Sequence, residues 1–136
     1  MRVIRRNIVA EKILIVDDDA DFREAITTLL EAKGYKIIVA ENGQEGYQKA
    51  HAENPNLMLL DVMMTNKTEG FDVAKKIAQD PATKNIPVIM TTGIRKDMNL
   101  PFGFEPNEQW LPVRAVIEKL VKPDVLLAEV EKNIRK

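Results

Sequence analysis

The sequence predicts an α/β domain in which a five-stranded parallel sheet carries helices on both faces. Short runs made almost wholly of Ile, Leu, Val and Met, which are typical of strands buried on both sides, recur along the chain. Longer segments with apolar residues at helical spacing lie between them, and turn residues such as Gly34 and Asn54-Pro55 separate the two kinds of segment. This alternation indicates βαβ units and therefore parallel strands.

The composition fits one domain and excludes several kinds of chemistry. A chain of 136 residues with 45% apolar and 30% charged residues can bury one core. Its net charge of -1 offers no electrostatic footprint for nucleic acid, so we expect it to bind none directly. It has no Cys, which excludes disulfides and thiolate sites. No apolar run is long enough for a membrane span or a signal peptide, so we expect a cytoplasmic protein that binds no membrane.

The elements follow a lead-in over residues 1–10, and we expect a single domain over 11–136. The predicted order is a strand over 12–16, a helix over roughly 20–33, a strand over 36–40, a helix over 43–53, a strand over 57–61, a helix over 70–79, a strand over 87–90, a strand over 115–117 and a last helix from Pro123. Asp19 fits the N-cap of the first helix and Gly34 the position just past its end.

No long helix is expected between the fourth and fifth strands. Three prolines and a glycine interrupt the segment 94–114, at Pro101, Gly103, Pro106 and Pro112. Proline costs about 3 kcal/mol inside a helix. The same segment contains four large apolar residues, Phe102, Phe104, Trp110 and Leu111. The favoured interpretation is that they fold back over the sheet, and the alternative is that they form a docking surface for a partner.

Polar side chains stand where three of these strands end. Asp17 and Asp18 follow the first strand, Asp61 ends the third, and Thr92 follows the fourth. Because the carboxyl ends of parallel strands meet at one edge, where the first and third strands can be neighbours, we expect these side chains to share a cleft. The alternative for Asp61 taken alone is that it caps the loop that follows it.

The chemistry of these side chains indicates a cation site beside an anion site. Carboxylates packed together raise one another's pKa unless a cation offsets them. Oxygen ligands without His or Cys favour a hard ion, and Mg²⁺ is the expected cofactor. A hydroxyl and an ammonium beside that ion would bind a tetrahedral anion such as phosphoryl. Asp61 is then the natural nucleophile, because carboxylates form aspartyl-phosphates.

Three segments together resemble the receiver domain of two-component response regulators. They are residues 13–19 (ILIVDDD), 57–64 (LMLLDVMM) and 87–93 (PVIMTTG). The resemblance covers residues 12–135. It implies a flavodoxin-like doubly wound sheet with the strand order 2-1-3-4-5, and the fourth helix of that fold is here expected to be shortened or replaced by a loop.

The resemblance also implies a function and the residues that carry it. Asp61 would accept a phosphoryl group from a histidine kinase or a histidine phosphotransfer protein, and the binding of an unknown downstream protein would then change. The ligands of Mg²⁺ would be Asp17, Asp18, Asp61 and the backbone carbonyl of Met63. Thr92 and a lysine would bind the phosphoryl oxygens. Such a module assists its own phosphorylation and dephosphorylation and is not an enzyme with an external substrate.

Two lysines could fill the last role. The family usually has Lys-Pro at this point, which is the pattern of Lys122-Pro123. However, the family lysine follows apolar strand residues, and Val116 and Ile117 stand at the corresponding distance before Lys119. We therefore favour Lys119, and Lys122 remains the alternative.

Two other functions compete with this interpretation. A phosphatase of the haloacid dehalogenase type would use Asp17 and Asp19 as an Asp-x-Asp pair, but it needs a further acidic pair that is missing after Ile117. A calcium loop starting at Asp17 would need Gly where Phe22 stands and Glu where Thr28 stands. The sequence does not distinguish a stand-alone receiver from one module of a longer protein.

Overall fold

The computed structural model describes residues 10–62, 64, 69–93, 112–119 and 122–135. Within these residues the order of elements is β1 (Lys12–Val16), α1 (Ala20–Glu31), β2 (Lys36–Ala40), α2 (Gly43–Glu53), β3 (Leu57–Asp61), α3 (Glu69–Gln79), β4 (Val88–Thr92), β5 (Ala115–Glu118) and α4 (Pro123–Asn133). Between β4 and β5 the description covers residues 93 and 112–114, and these contain no helix. Residues 1–9 of the lead-in and residues 94–111, which include the four large apolar residues of the segment 94–114, lie outside the described residues.

The strands form one parallel sheet in the order β2-β1-β3-β4-β5, which confirms the predicted topology. Val16 of β1 pairs with Leu60 of β3, so Asp17 and Asp61 are the next residues on two neighbouring strands. Asp61 in turn pairs with Thr91 of β4. In a doubly wound sheet the binding crevice lies where the strand order reverses, which here is between β1 and β3. The predicted site residues Asp17 and Asp61 therefore lie at the ends of neighbouring strands.

The strand side chains alternate between two apolar layers. One layer packs under α1 and α4 and the other under α2 and α3, so each pair of helices buries its apolar stripe against one face of the sheet. The first layer receives Ile13, Ile15, Leu57 and Leu59, and the second receives Leu14, Val16, Met58 and Leu60. None of these side chains is more than 1% exposed. The two strands that carry the acids are therefore packed on both faces.

Local signals fix the ends of α1 close to their predicted positions. The Asp19 carboxylate accepts hydrogen bonds from the backbone N–H groups of Asp21 (3.0 Å) and Phe22 (3.2 Å), so Asp19 caps the helix as predicted. The helix ends at Glu31, slightly before the predicted end. The reason is that the Gly34 N–H turns back to the Glu31 carbonyl (2.9 Å) and Gly34 takes a positive φ of 93°.

The other helices begin and end on similar signals. Asn42 caps α2, and Asn54, with a φ of 44°, ends it before Pro55. The start of α3 is Glu69, one residue before the predicted start. Pro123 occupies the first turn of α4, as predicted. In the part of the chain that the structure describes, we find no helix that is long and apolar enough to cross a membrane.

Candidate functional site

Three carboxylates meet at the carboxyl edge of the sheet. Asp17 directly follows β1 and Asp61 is the last residue of β3; these two are buried (1% and 2% exposed), whereas Asp18 is exposed. A carboxylate oxygen from each of the three lies within 4.8 Å of the others. We call these three residues the acidic cluster. The structure thus brings together the acids that the sequence predicts as metal ligands.

A lysine lies beside the acidic cluster. Lys119 follows β5, and its Nζ is 3.0 Å from Asp17 Oδ2 and 3.4 Å from Asp61 Oδ2. Its backbone N–H donates to the carbonyl of Thr92 (2.7 Å), which continues the pairing of β4 with β5 up to the site. Lys122, at the N-cap of α4, is exposed. The geometry therefore places Lys119, the favoured of the two candidate lysines, at the cluster.

The two remaining predicted site residues differ in how far the structure describes them. Thr92 is the last residue of β4 and is buried (1% exposed). Its strand lies between β3, which ends at Asp61, and β5, which leads into Lys119. Thr92 therefore lies at the same edge as both groups. Met63, whose backbone carbonyl is a predicted metal ligand, lies outside the described residues, and its role stays a prediction.

Burial and like charge raise the pKa of Asp61 to about 7. The largest cause is removal from water, followed by the negative charge of Asp17, with a smaller contribution from Asp18. The Lys119 ammonium acts in the opposite direction without cancelling these effects. Burial by itself would lower the pKa of Lys119, but its hydrogen bond to Asp17 and the nearby negative charges raise that pKa above its ordinary value. The Lys119 ammonium therefore does not offset both the burial of Asp61 and the negative charges of its neighbours.

The side chains of the acidic cluster fit a hard metal ion in their chemistry. Asp17 Oδ2 is buried and accepts no hydrogen bond from the described residues, although the Lys119 ammonium lies 3.0 Å away. A buried carboxylate oxygen that lacks a hydrogen bond is costly unless a cation stabilises it. The side-chain donors are all carboxylate oxygens, which suits Mg²⁺ better than a softer metal.

Asp19 does not belong to the acidic cluster, although it continues the same acidic run. Its carboxylate caps α1, and its backbone N–H donates to Asp17 Oδ1 (2.9 Å). Asp19 therefore orients Asp17 and begins the helix. Both the phosphatase alternative and the calcium-loop alternative need the carboxylates of Asp17 and Asp19 in one site. Among the described residues, Asp17 is instead grouped with Asp18 and Asp61.

Two contacts that support the site are not among the predictions from the sequence. The Gly70 N–H donates to the Val62 carbonyl (2.9 Å), and a Cβ at Gly70 would lie 2.2 Å from the Asp61 carbonyl oxygen. Only glycine lets the start of α3 approach β3 so closely. On the other side, the Arg23 guanidinium donates to the Asp17 carbonyl (2.6 Å). A glycine at the start of a helical pattern was a signal for the first contact, and nothing in the sequence marks the second.

The fold and site together define a receiver domain. A parallel sheet of this order, with three carboxylates and a lysine at its carboxyl edge, agrees with the family model described as response regulator receiver domain, which matches residues 13–131. The chain belongs to that family. It is thus a phosphoacceptor module of a two-component system, and such domains are in general not turnover enzymes. The phosphatase alternative finds no support in these comparisons.

Its relatives include proteins named as transcriptional regulators. The chain is 34% identical over 128 residues to the phosphate regulon transcriptional regulatory protein PhoB of Pseudomonas aeruginosa, which covers 94% of this chain and 53% of PhoB. It is 37% identical over 120 residues to the transcriptional regulatory protein ResD of Bacillus subtilis, covering 79% of this chain and 48% of ResD. The chain therefore spans about half the length of these curated relatives.

The fold also matches solved structures. A CheY-like response regulator receiver domain protein from Methanospirillum hungatei JF-1 superimposes with a TM-score of 0.75 and 28% sequence identity. The match covers 91% of this chain and 93% of that protein. The agreement extends over nearly all of both chains, so the resemblance concerns the whole domain rather than one motif.

Proposed function

We propose that Asp61 is the residue on which this receiver accepts a phosphoryl group, with Mg²⁺ as cofactor. The observation that carries the proposal is the surroundings of this carboxylate. It is buried at a strand end, oxygens of Asp17 and Asp18 lie within 4.8 Å, and the Lys119 ammonium lies 3.4 Å away. The proposed ligands of Mg²⁺ are Asp17, Asp18, Asp61 and the backbone carbonyl of Met63. The proposed donors to the phosphoryl oxygens are the Thr92 hydroxyl and the Lys119 ammonium.

In this mechanism an oxygen of the Asp61 carboxylate attacks the phosphorus of a phosphohistidine. An oxygen–phosphorus bond forms, the phosphorus–nitrogen bond breaks, and the imidazole leaves with the electron pair. The transferring group carries negative charge on its outer oxygens, so donors must already be in place. Lys119 would move from the two carboxylates to one of these oxygens, and Thr92 would donate to another. When bound, Mg²⁺ supplies the positive charge that lets an anion approach three carboxylates.

The donor and the target are proposed from the family rather than from contacts of this chain. We expect a histidine kinase or a histidine phosphotransfer protein to donate the phosphoryl group in the cytoplasm, and an unidentified protein to respond. The chain would assist its own phosphorylation and dephosphorylation without turning over an external substrate. Because it spans about half the length of regulators of transcription, the expectation that it binds no nucleic acid itself stays a prediction.

Mass spectrometry after incubation with acetyl phosphate and MgCl₂ tests the proposal. We expect the protein to gain one phosphoryl group, and peptide mapping to place that group on Asp61. The Asp61→Asn variant should gain none. Asp80→Asn makes the same substitution outside the acidic cluster, so it is the matched control and should be phosphorylated like the wild type. A phosphoryl group on another residue, or uptake by Asp61→Asn at the wild-type rate, would overturn the assignment.

A further inference from the structure

The Lys119 ammonium has a third neighbour besides the two carboxylates. It lies over the ring of Phe22, 4.8 Å from the ring centroid. Phe22 stands in the first turn of α1 and is half-buried. The ammonium therefore has Asp17 and Asp61 within 3.4 Å and an aromatic face as a further neighbour. Only 18% of the lysine side chain is exposed.

We propose that Phe22 is a positioning residue that holds the Lys119 ammonium at the phosphoryl site. This inference rests on the function proposed for Lys119. The face of an aromatic ring attracts a cation, and the attraction strengthens when water is excluded. A lysine has a long flexible stem and loses much rotamer entropy when its ammonium is fixed. A ring that already holds the ammonium would reduce the entropy lost when the phosphoryl group arrives.

The Phe22 ring packs against apolar side chains of two helices. Phe22 packs against the core cluster that includes Ile26 of α1 and Leu126 of α4. Its backbone N–H donates to the Asp19 carboxylate (3.2 Å), and the Asp19 N–H donates to Asp17 Oδ1 (2.9 Å). The cap that begins α1 therefore links the backbone of Phe22 to the acidic cluster. Asp17 in turn contacts the Lys119 ammonium, which lies over the Phe22 ring.

A simpler account is that Phe22 only fills an apolar groove between α1 and α4. Phe22, Ala25, Ile26, Leu29, Pro123 and Leu126 line that groove. Under this account any apolar side chain of similar volume would serve as well, because filling space requires no aromatic face. The two accounts therefore differ in what happens when the ring is removed and the volume is kept. Phe22→Leu and Phe22→Met make that change, and Phe22→Tyr keeps the ring.

Nuclear magnetic resonance of the lysine ε-methylene groups tests the contact without any phosphorylation. Protons over an aromatic face are shifted upfield by its ring current, so one lysine signal should lie upfield and should vanish in Lys119→Met. We expect Phe22→Leu and Phe22→Met to return this signal to the position of a solvated lysine, and Phe22→Tyr to keep it. Leu29→Ala removes apolar volume from the same groove and should leave the signal unchanged. An upfield lysine signal that survives in both ring-free variants would overturn the proposal.

The rate of phosphorylation by acetyl phosphate tests whether this positioning matters for the reaction. Acetyl phosphate is small and does not need to bind in the groove between α1 and α4, so a change in the groove alone should not alter the rate. We expect Phe22→Leu to slow phosphorylation by about two- to fivefold, and Phe22→Tyr to restore the rate. In a Lys119→Met background Phe22→Leu should have no further effect. An equal loss in both backgrounds, or no loss in either, would overturn the positioning role. If the wild type takes up no phosphoryl group, the proposed function fails, and the resonance experiment still decides whether Phe22 holds Lys119.

Discussion

Two aspartates at the ends of elements lie in opposite electrostatic environments. Asp80, directly after α3, accepts hydrogen bonds from the Tyr47 hydroxyl and the Ala82 N–H (2.9 Å), and His51 Nε2 lies 2.5 Å from it. These contacts lower the pKa of Asp80 to about 2; the hydrogen bond from Tyr47 contributes most, followed by those of Ala82 and His51. Asp61, at the end of β3, is buried beside two carboxylates and one lysine, and its pKa is raised to about 7. We call Tyr47, His51 and Asp80 the α2–α3 cluster.

The difference separates a carboxylate that supports the fold from one that is available for chemistry. Asp80 accepts hydrogen bonds from Tyr47 and Ala82 and lies beside His51, so its negative charge stabilises the contact between α2 and α3. The charge on Asp61 is unfavourable in the protein as folded, because burial and the charges of Asp17 and Asp18 oppose it. Strongly shifted pKa values of this second kind are typical of functional sites, where a ligand supplies the missing charge. Stability and function are therefore expected to conflict at Asp61 and not at Asp80.

The substitution with the greatest predicted effect on stability is Asp61→Asn. The folded-state pKa of Asp61, about 7, lies above its ordinary value of 3.8. The folded state therefore favours the protonated form, and this contribution is complete below pH 3.8 and is lost as the pH rises through 7. Without metal and above pH 7, Asp61→Asn should be more stable than the wild type, by no more than about 4 kcal/mol.

Urea unfolding in the presence of a chelator, followed from pH 4 to pH 8, measures this effect. The gain in stability should be small at the acidic end and should grow as the pH rises. Mg²⁺ should reduce the difference, because a cation that binds only the folded wild type stabilises it. A variant that is less stable than the wild type at pH 8 without metal would contradict the electrostatic description of Asp61.

The second prediction concerns Lys119, whose ammonium lies at the acidic cluster. Lys119→Ala should slow phosphorylation by acetyl phosphate by about 10- to 100-fold, since hydrogen bonds to charged groups contribute roughly 1.5–3 kcal/mol. Lys122→Ala makes the same change at an exposed lysine three residues away and should be nearly silent. Time courses from mass spectrometry compare the two variants directly. A larger loss in Lys122→Ala than in Lys119→Ala would show that Lys122 fills the role.

The third prediction compares two neighbouring acids for metal binding. Asp18 belongs to the acidic cluster, whereas the Asp19 carboxylate caps α1. Asp18→Asn should weaken Mg²⁺ binding by at least about tenfold, because the loss of a ligand charge lowers affinity for a hard cation. Asp19→Asn removes the same charge but keeps a side-chain oxygen for the cap of α1, and it should weaken Mg²⁺ binding far less. Amide chemical shifts during a MgCl₂ titration give both affinities, and equal losses would mean that only net charge matters.

The sequence predicted the sheet and the acidic cluster because both depend on strand order. Buried runs mark each strand, and in a parallel sheet their carboxyl ends meet at one edge, so Asp17 and Asp61 had to be close once β1 and β3 were neighbours. The choice of Lys119 over Lys122 followed from the same reasoning, since it depended on where β5 ends. Periodicity located the strands, whereas the strand order and the comparison that favoured Lys119 came from the resemblance to receiver domains.

Contacts between separate helices could not be predicted in this way. The contact of Phe22 with Lys119 depends on how α1 packs beside the end of β5, which helical spacing alone does not reveal. Tyr47 and His51 are four residues apart and so share one face of α2. Their partner Asp80 directly follows α3. The sequence of α2 or of α3 alone does not indicate that these three residues are in contact. The structure thus adds the contacts that position the residues which the sequence identified.

The smallest effect on stability is expected in the α2–α3 cluster. Replacing Asp80 should destabilise the protein, whereas replacing Asp61 should stabilise it. The folded-state pKa of Asp80, about 2, lies below its ordinary value of 3.8, so its charge contributes stability above 3.8 that is lost as the pH falls through 2. Asp80→Asn should therefore lower the urea midpoint at pH 7, and its difference from the wild type should shrink below pH 3.8. Tyr47→Phe keeps the ring and removes the main donor, so it should reproduce part of this loss. A deficit that is the same at pH 7 and pH 3 would mean that Asp80 acts through its shape rather than its charge, and the contrast with Asp61 would then fail.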